Sequence, residues 1–199
     1  ENLILYYFQE RRRGEPEKLD EDKTFLICPS VKIFPAVTST NTELKEYIHS
    51  INESKNLLKD YEGTVFLTDF QTAGKGRMGK NFFSPKSMGL YFSILTCPSS
   101  KNVNSLLITT HAAVAVKRAV KELYGINLSI KWINDLYIKI DSASEFSQKK
   151  VCGILAEGKF RAVENQTNCS SLEYCIMGIG LNLFTPKGDY PKELQDIAA

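Results

Sequence analysis

Apolar residues at helical spacing predict two helices in this chain. The first lies in the segment STNTELKEYIHSIN, where Thr40 and Glu43 form the pattern of a capping box at its start. Its apolar face is formed by Leu44, Tyr47, Ile48 and Ile51. The second helix is predicted from about Asn104, as its N-terminal cap, to Tyr124, with Gly125 as the residue that ends it.

Short runs of β-branched and aromatic residues predict strands in the rest of the chain. These runs occupy residues 64–70, 89–95, 128–133, 136–140, 151–157 and 174–180. The polar segment 141–150 is predicted as a loop that joins two of the strands as a hairpin. Because neighbouring strands connected so directly run antiparallel, the pattern predicts an α+β fold with a mainly antiparallel sheet flanked by helices.

The charge balance and the cysteine pattern argue against several classes of protein. The 25 basic and 23 acidic residues give a net charge of +2, so no overall field indicates a nucleic-acid partner. No segment has the length and apolarity of a membrane span, and no signal-peptide pattern is present. Five cysteines without C-x-x-C spacing indicate reduced thiols, so we expect a cytoplasmic protein without a membrane partner. The two histidines have no ligand-type neighbours, and no protein-built metal site is predicted.

The glycine-rich segment TAGKGRMGKNFFSP, residues 72–85, matches parts of two nucleotide-binding motifs. Its glycines satisfy the dinucleotide pattern G-x-G-x-x-G, and only Asn81 departs from the phosphate-loop pattern G-x-x-x-x-G-K-[ST]. Both motifs require a helix directly after the loop, whereas Pro85, Gly89 and a predicted strand follow here. The segment is therefore interpreted as a flexible loop between two strands. Its cations, Lys75, Arg77 and Lys80, suit an anionic ligand, and a hairpin tip without a ligand is the alternative.

Four segments, in their order along the chain, resemble the catalytic domain of biotin protein ligases, also called holocarboxylase synthetases. They are TSTNTEL (38–44), DFQTAGKGRMGKNFFSP (69–85), KWINDLYI (131–138) with KVCGILAEG (150–158), and IMGIGLNL (176–183). The resemblance implies a fold related to class II aminoacyl-tRNA synthetases and lipoate ligases. It also implies that residues 37–199 form the catalytic domain, truncated at its C-terminal end. Residues 1–36 are then an N-terminal extension and linker that starts with a tag remnant or an edge strand.

The activity implied by the resemblance is an ATP-dependent biotin protein ligase. Such an enzyme forms biotinyl-5′-AMP from biotin and MgATP, then transfers biotin to one lysine of the biotin-carrier domain of a carboxylase. Mg²⁺ is expected to enter with ATP. Two alternatives stay open, a lipoate or octanoate ligase or transferase of the same fold and a non-catalytic module that binds biotin or a nucleotide.

The resemblance also assigns site residues. Biotin is expected to contact Ser39, Thr40, Asn41, Gln71, Gly74, Lys75, Gly76, Arg77, Lys131 and Gly153. The nucleotide is expected to contact Arg77, Met78, Phe82, Asn134, Asp135 and Asn182. Lys131 and Arg77 receive the catalytic role, because the biotin carboxylate and the α-phosphate repel each other at contact unless cations stand nearby. A reaction of this kind needs positioning and electrostatics rather than a nucleophilic side chain.

Several of these residues also have purely structural interpretations. Strand alternation places Lys131 opposite its apolar neighbours, where a lysine is usually solvated. Asn134 and Asp135 suit a hairpin turn, and Gly153 suits a β-bulge. Trp132 is expected to pack against apolar neighbours rather than to contact a ligand.

Overall fold

A computed structural model describes residues 30–53, 58–98, 105–142, 145–162, 170–186 and 190–199. Its strands are β1 (Val31–Phe34), β2 (Val65–Thr68), β3 (Gly89–Thr96), β4 (Ser129–Lys131), β5 (Asp135–Ser142), β6 (Glu145–Ala162) and β7 (Ser170–Asn182). They form one sheet in the order β1-β2-β3-β7-β6-β5-β4. The β1–β2 pair is parallel, and the other pairs among these strands are antiparallel. The predicted α+β class is confirmed.

The two helices, α1 (Thr40–Glu53) and α2 (Ser105–Tyr124), cover opposite faces of the sheet. Side chains of α1 form one core cluster, made of Leu44, Ile48, Phe66, Leu95, Cys97, Tyr174 and Ile176. Side chains of α2 belong to a second cluster, which includes Ala112, Ala113, Leu136, Cys152, Ile154 and Ile179. At the end of α2, Gly125 has a φ of 70° and donates its N–H to Lys121 O at 2.9 Å, as its predicted role requires. None of the described helices is both long and apolar enough to span a membrane.

The structure corrects two local predictions. Residues 141–150 were predicted as a loop, but β5 continues to Ser142 and β6 begins at Glu145. Pairing of strands relies on backbone groups, so a polar stretch can form a hairpin without an apolar pattern. The capping box is also wrong, because Thr40 is already the first helical residue and the Glu43 N–H bonds to the carbonyl of Ser39 at 3.0 Å.

Strand β1 lies before the predicted domain boundary at residue 37. Strand β1 pairs with β2 from Val31 to Phe34, within the segment predicted as extension and linker. Residues 1–29, including the predicted tag remnant, lie outside the described residues, as does the predicted cap Asn104.

Three cysteines are buried as free thiols and are expected to resist alkylation. Burial raises the pKa of Cys97 to about 11, of Cys152 to about 12 and of Cys175 to about 11. Iodoacetamide at pH 8, followed by peptide mapping, should leave these three positions unmodified in the folded protein. The pKa values of these thiols in the folded protein exceed the ordinary 9.0. The three protonated thiols therefore contribute to stability below about pH 9, and this contribution is lost as pH rises toward the folded pKa values. Rapid labelling of all three at pH 8 would contradict the burial.

Candidate functional site

A cleft lies on the α1 face of the sheet, between the start of α1, the glycine loop (residues 74–82) and strands β6 and β7. Its floor contains Gly153, which pairs with Gly180, and Gly178 two residues earlier on β7. A Cβ atom at Gly153 would stand 2.8 Å from the ring of Phe82, so the close approach of loop and sheet requires glycine there. About 440 Å³ of empty space lies in and around the cleft, and part of it is open solvent.

Gln71 is held in one orientation at the wall of the cleft. The Ser84 hydroxyl donates to the carbonyl of Phe82 at 3.0 Å, and Gln71 Nε2 donates to Ser84 Oγ at 2.8 Å. Because the proton of Ser84 is committed to a carbonyl that can only accept, Gln71 must present its amide nitrogen to Ser84. Gln71 Oε1 then accepts the Thr40 N–H at 2.9 Å. The second N–H of the Gln71 amide is left for another acceptor.

Ser39 brings a second polar group to the same wall. The residue is buried at the start of α1, lines the cleft, and makes no side-chain hydrogen bond with any residue that the structure describes. Because no fully buried side-chain polar atom lacks a partner among the described residues, this hydroxyl is open to the cleft, where it can both donate and accept. The wall thus offers a hydroxyl at Ser39 and an N–H at Gln71 to a ligand with a compact polar head.

Cations line the opposite side of the cleft, and a series of polar contacts connects two of them, Arg77 and Lys150. Arg77 Nη1 donates to Asn134 Oδ1 at 2.9 Å, and Asn134 Nδ2 donates to Asp135 Oδ1 at 3.0 Å. The same carboxylate forms an ion pair with Lys150 Nζ at 2.8 Å. Lys150, Arg77 and Lys75 all line the cleft. These positions give the site the charge needed to bring anionic groups together.

The glycine loop is a tight hairpin rather than the start of an α-helix. The Gly76 N–H bonds to Lys80 O at 2.7 Å across a short 3₁₀ turn, Arg77–Gly79. Met78 and Gly79 both adopt left-handed conformations, with φ values of 56° and 73°. The backbone then runs extended toward β3. The rejection of the dinucleotide and phosphate-loop motifs is therefore confirmed, since both need a helix at this point.

Most of the residues predicted for the site come together in this cleft. Those that line it are Ser39, Thr40, Asn41, Gln71, Lys75, Gly76, Arg77, Phe82, Asn134 and Gly153. Those that do not line it are Gly74, Met78, Lys131, Asp135 and Asn182. Gly74 is buried at the start of the glycine loop, and Met78 is exposed. Asp135 is connected to the cleft through its ion pair with Lys150. Asn182 pairs with Gly89 at the end of β7.

Lys131 lies on the cleft face of the sheet but beside the cleft. Its backbone pairs with Asp135, which in turn pairs with Gly153, so the three residues share one row and one face. The side chain is exposed, and its Nζ lies 5.1 Å from the centre of the Tyr137 ring. The role assigned to Lys131 stays a prediction. Trp132 is 68% exposed in the turn after β4, so the expectation that it packs is wrong.

Lys150 is the charged lining residue that the sequence analysis did not predict, and a β-bulge explains why. The other lining residues that were not predicted are Ile154, Leu155, Gly178, Ile179 and Gly180. Simple alternation would place Lys150 and Gly153, three residues apart, on opposite faces of β6. In the structure Leu136 pairs with Cys152, while Tyr137 pairs with Lys150, so Val151 is an extra residue in the ladder. The extra residue turns Lys150 onto the face of Gly153. The sequence signal was a lysine directly before the apolar run VCGIL.

The sequence is similar to one family model and to several named proteins. The model of the "Biotin/lipoate A/B protein ligase family" matches residues 33–182. "Bifunctional ligase/repressor BirA" of Bacillus subtilis (strain 168) is 36% identical over 137 residues, covering 69% of this chain and 38% of that protein. The BirA protein of Escherichia coli (strain K12) is 27% identical over 154 residues, covering 77% of this chain and 40% of that protein. The chain thus spans less than half the length of either relative.

A comparison of structures supports the same fold. The crystal structure of biotin protein ligase from Leishmania major in complex with biotinyl-5-AMP superposes with a TM-score of 0.53 and 22% sequence identity. The superposition covers 85% of this chain and 63% of that chain. The sheet and helices described above therefore have the arrangement of that structure.

Proposed function

This chain belongs to the biotin/lipoate A/B protein ligase family, and on that premise we propose that it is the catalytic core of a biotin protein ligase. It joins biotin to ATP, forming biotinyl-5′-AMP and pyrophosphate, and then transfers biotin to a lysine of a biotin-carrier domain. The observation that carries the proposal is that one cleft combines a polar wall, at Ser39 and Gln71, with a cationic wall, at Arg77 and Lys150. A molecule with a polar head and an acidic tail fits between them.

The polar wall supports biotin rather than lipoate. The ureido ring of biotin carries two N–H donors and a carbonyl acceptor, which suit the hydroxyl of Ser39 and the free N–H of Gln71. The dithiolane ring of lipoate offers none of these groups and would leave both protein groups unpaired. A site that must pair buried polar groups discriminates strongly against a ligand that lacks them. Relatives named "Biotin--protein ligase", from Schizosaccharomyces pombe and Homo sapiens and each 26% identical, support the same choice.

The cationic wall supports the first chemical step. A carboxylate oxygen of biotin attacks the α-phosphorus of ATP, a new P–O bond forms, and the bond to the pyrophosphate oxygen breaks with its electron pair. Both reactants are anionic, and negative charge accumulates between them in the transition state. Arg77 and Lys150 lower this cost, each through charge-assisted contacts of about 1.5–3 kcal/mol. The protein supplies charge and position, and biotin itself is the nucleophile.

The second step transfers biotin from the adenylate to the carrier. The lysine amine of the carrier attacks the acyl carbon, an amide bond forms, and the bond to the phosphate oxygen of AMP breaks while the amine loses a proton. No group of three His, Cys, Asp or Glu side chains gathers as metal ligands in the described parts of the chain. Mg²⁺ in this proposal is carried mainly by the phosphate oxygens of ATP, whose charge it offsets.

A labelling assay with a purified biotin-carrier domain tests the proposal. The protein, biotin, MgATP and the carrier are mixed, and the products are blotted with streptavidin. Biotin on the carrier is expected, and none should appear without ATP or with the acceptor lysine of the carrier replaced by arginine. Transfer of lipoate in place of biotin would favour the alternative enzyme of the same fold. Calorimetric binding of biotin without pyrophosphate release or transfer would identify a binding module.

A further inference from the structure

A chain of buried polar side chains runs behind the polar wall of the cleft. The hydroxyls of Thr40 and Ser93 lie 2.7 Å apart, and Ser93 Oγ lies 2.5 Å from Asn41 Oδ1. Asn41 Nδ2 donates to Glu157 Oε2 at 2.6 Å. Thr40 and Asn41 line the cleft, whereas Ser93 is fully buried beneath them on β3. We call these four residues the relay.

The direction of every hydrogen bond in the relay follows from Glu157, which lies at one end and can only accept. The carboxylate of Glu157 can only accept, so Asn41 turns its amide nitrogen toward Glu157 and its oxygen toward Ser93. Asn41 Oδ1 also only accepts, so the single proton of Ser93 is committed to it. The contact between Thr40 and Ser93 then requires that Thr40 be the donor.

Thr40 is left as an acceptor on the side of the cleft. Its one hydroxyl proton points to Ser93, and its oxygen keeps lone pairs for a ligand. Gln71 Oε1 lies 3.3 Å from the same oxygen but already receives the Thr40 N–H at 2.9 Å, so it does not need the hydroxyl proton. The wall therefore presents an acceptor at Thr40 beside the groups of Ser39 and Gln71.

We propose that Ser93 and Glu157, neither of which lines the cleft, are positioning residues that fix Thr40 as a hydrogen-bond acceptor toward the ligand. The site then selects a ligand head with an N–H at this point and rejects an isosteric head that places a lone pair there. That the ligand is biotin rests on the proposed function. The relay adds which ureido group Thr40 recognises and which side chains enforce it.

The residues around the relay leave space for its side chains. Asn41 lies across β7 at Gly178, where a Cβ atom would collide with Asn41 Oδ1. Gly178 pairs with Ser93 on β3 and with Leu155 on β6, so only a residue without a side chain leaves room between the two strands that carry the relay. The missing side chain lets Asn41 reach both Ser93 and Glu157.

The test uses ligands that differ in one hydrogen-bonding group. Binding of biotin is compared by titration calorimetry with its two cyclic carbamate analogues, in each of which one ureido N–H is replaced by an oxygen atom. In the wild-type protein one analogue should bind about 10- to 100-fold more weakly than biotin, because its ring oxygen meets the lone pairs of Thr40. In Ser93→Ala the Thr40 hydroxyl is free to turn and donate, so this ratio should fall to about threefold or less.

A second variant and a control separate positioning from folding. Glu157→Lys places a side chain that can only donate at this partly open position, so the Asn41 amide must reverse and the ratio should also fall. Thr96→Val removes a hydroxyl from the same strand, where it bonds to Cys175 O at 3.2 Å outside the relay, and should keep the wild-type ratio. Thermal unfolding of each variant checks that the fold persists.

The outcomes distinguish this inference from the proposed function. Wild-type binding of biotin with the same analogue ratio in Ser93→Ala and Glu157→Lys would overturn the relay and leave the proposed function standing. No binding of biotin by the wild-type protein would overturn both. If Ser93→Ala fails to fold, the ratio in Glu157→Lys decides the matter alone, because that residue lies at a partly open position.

Discussion

Replacing Lys150 with alanine is expected to slow adenylate formation by about 10²–10³-fold, the usual effect of removing one group that stabilises transition-state charge. Lys150 lines the cleft and is held by Asp135 at 2.8 Å on the face that carries Gly153. Its ammonium group can therefore meet the carboxylate and the α-phosphate where they join. The lost side chain is partly exposed, and its ion pair adds little to stability, so the fold should persist.

The rate of pyrophosphate release with biotin and ATP measures this effect. Lys149→Ala is the matched control, because Lys149 precedes Lys150 on the same strand, does not line the cleft, and donates to Gln195 O at 2.7 Å. That variant should keep most of the wild-type rate. A near-normal rate in Lys150→Ala would remove Lys150 from the mechanism.

The same measurement on Lys131→Ala tests the role predicted from the sequence. Lys131 lies on the correct face but outside the cleft lining, whereas Lys150 lies within it. We expect a smaller loss in Lys131→Ala than in Lys150→Ala. A larger loss would mean that Lys131 reaches the reacting groups when the ligands are bound and that the original prediction is right.

The contrast between these two lysines shows what the sequence could predict and what it could not. Periodicity and turn residues located both helices and the strands β2 to β7, but not β1. The absence of a helix after the glycine loop excluded two nucleotide motifs. Alternation along a strand assigns faces only while the ladder is regular. The extra residue at Val151 breaks that rule, and its position depends on the pairing of two strands rather than on either strand alone. Lys150 was missed for that reason.

The relay could not be predicted from the sequence, for a related reason. Ser93 is a single polar residue in the apolar strand GLYFSIL, which alone suggests no partner. Its importance comes from two other segments that converge on it, α1 at Thr40 and Asn41 and β7 at Gly178. The order of the motifs identified the family and the polar wall, but the direction of each hydrogen bond requires distances between atoms.

Gly178→Ala is expected to weaken biotin binding by tenfold or more and to lower the free energy of unfolding by about 1–3 kcal/mol. The new Cβ would collide with Asn41 Oδ1, so Asn41 would have to leave the position that connects Ser93 and Glu157. Calorimetric titration with biotin measures the affinity, and urea unfolding measures the stability. In the control Gly158→Ala the close contact of the Cβ is with the movable end of the Leu172 side chain, and the Phe160 ring lies at ordinary contact distance, so affinity should change little.

A second change separates the two effects of Gly178→Ala. Adding Asn41→Ala removes the atoms that collide, so the double variant should recover much of the stability while biotin binding stays weak. The energies would then be strongly non-additive, as expected for two groups that compete for one space. Full affinity in Gly178→Ala would show that Asn41 does not need to cross β7 for the ligand to bind, and the polar wall would then act without the relay behind it.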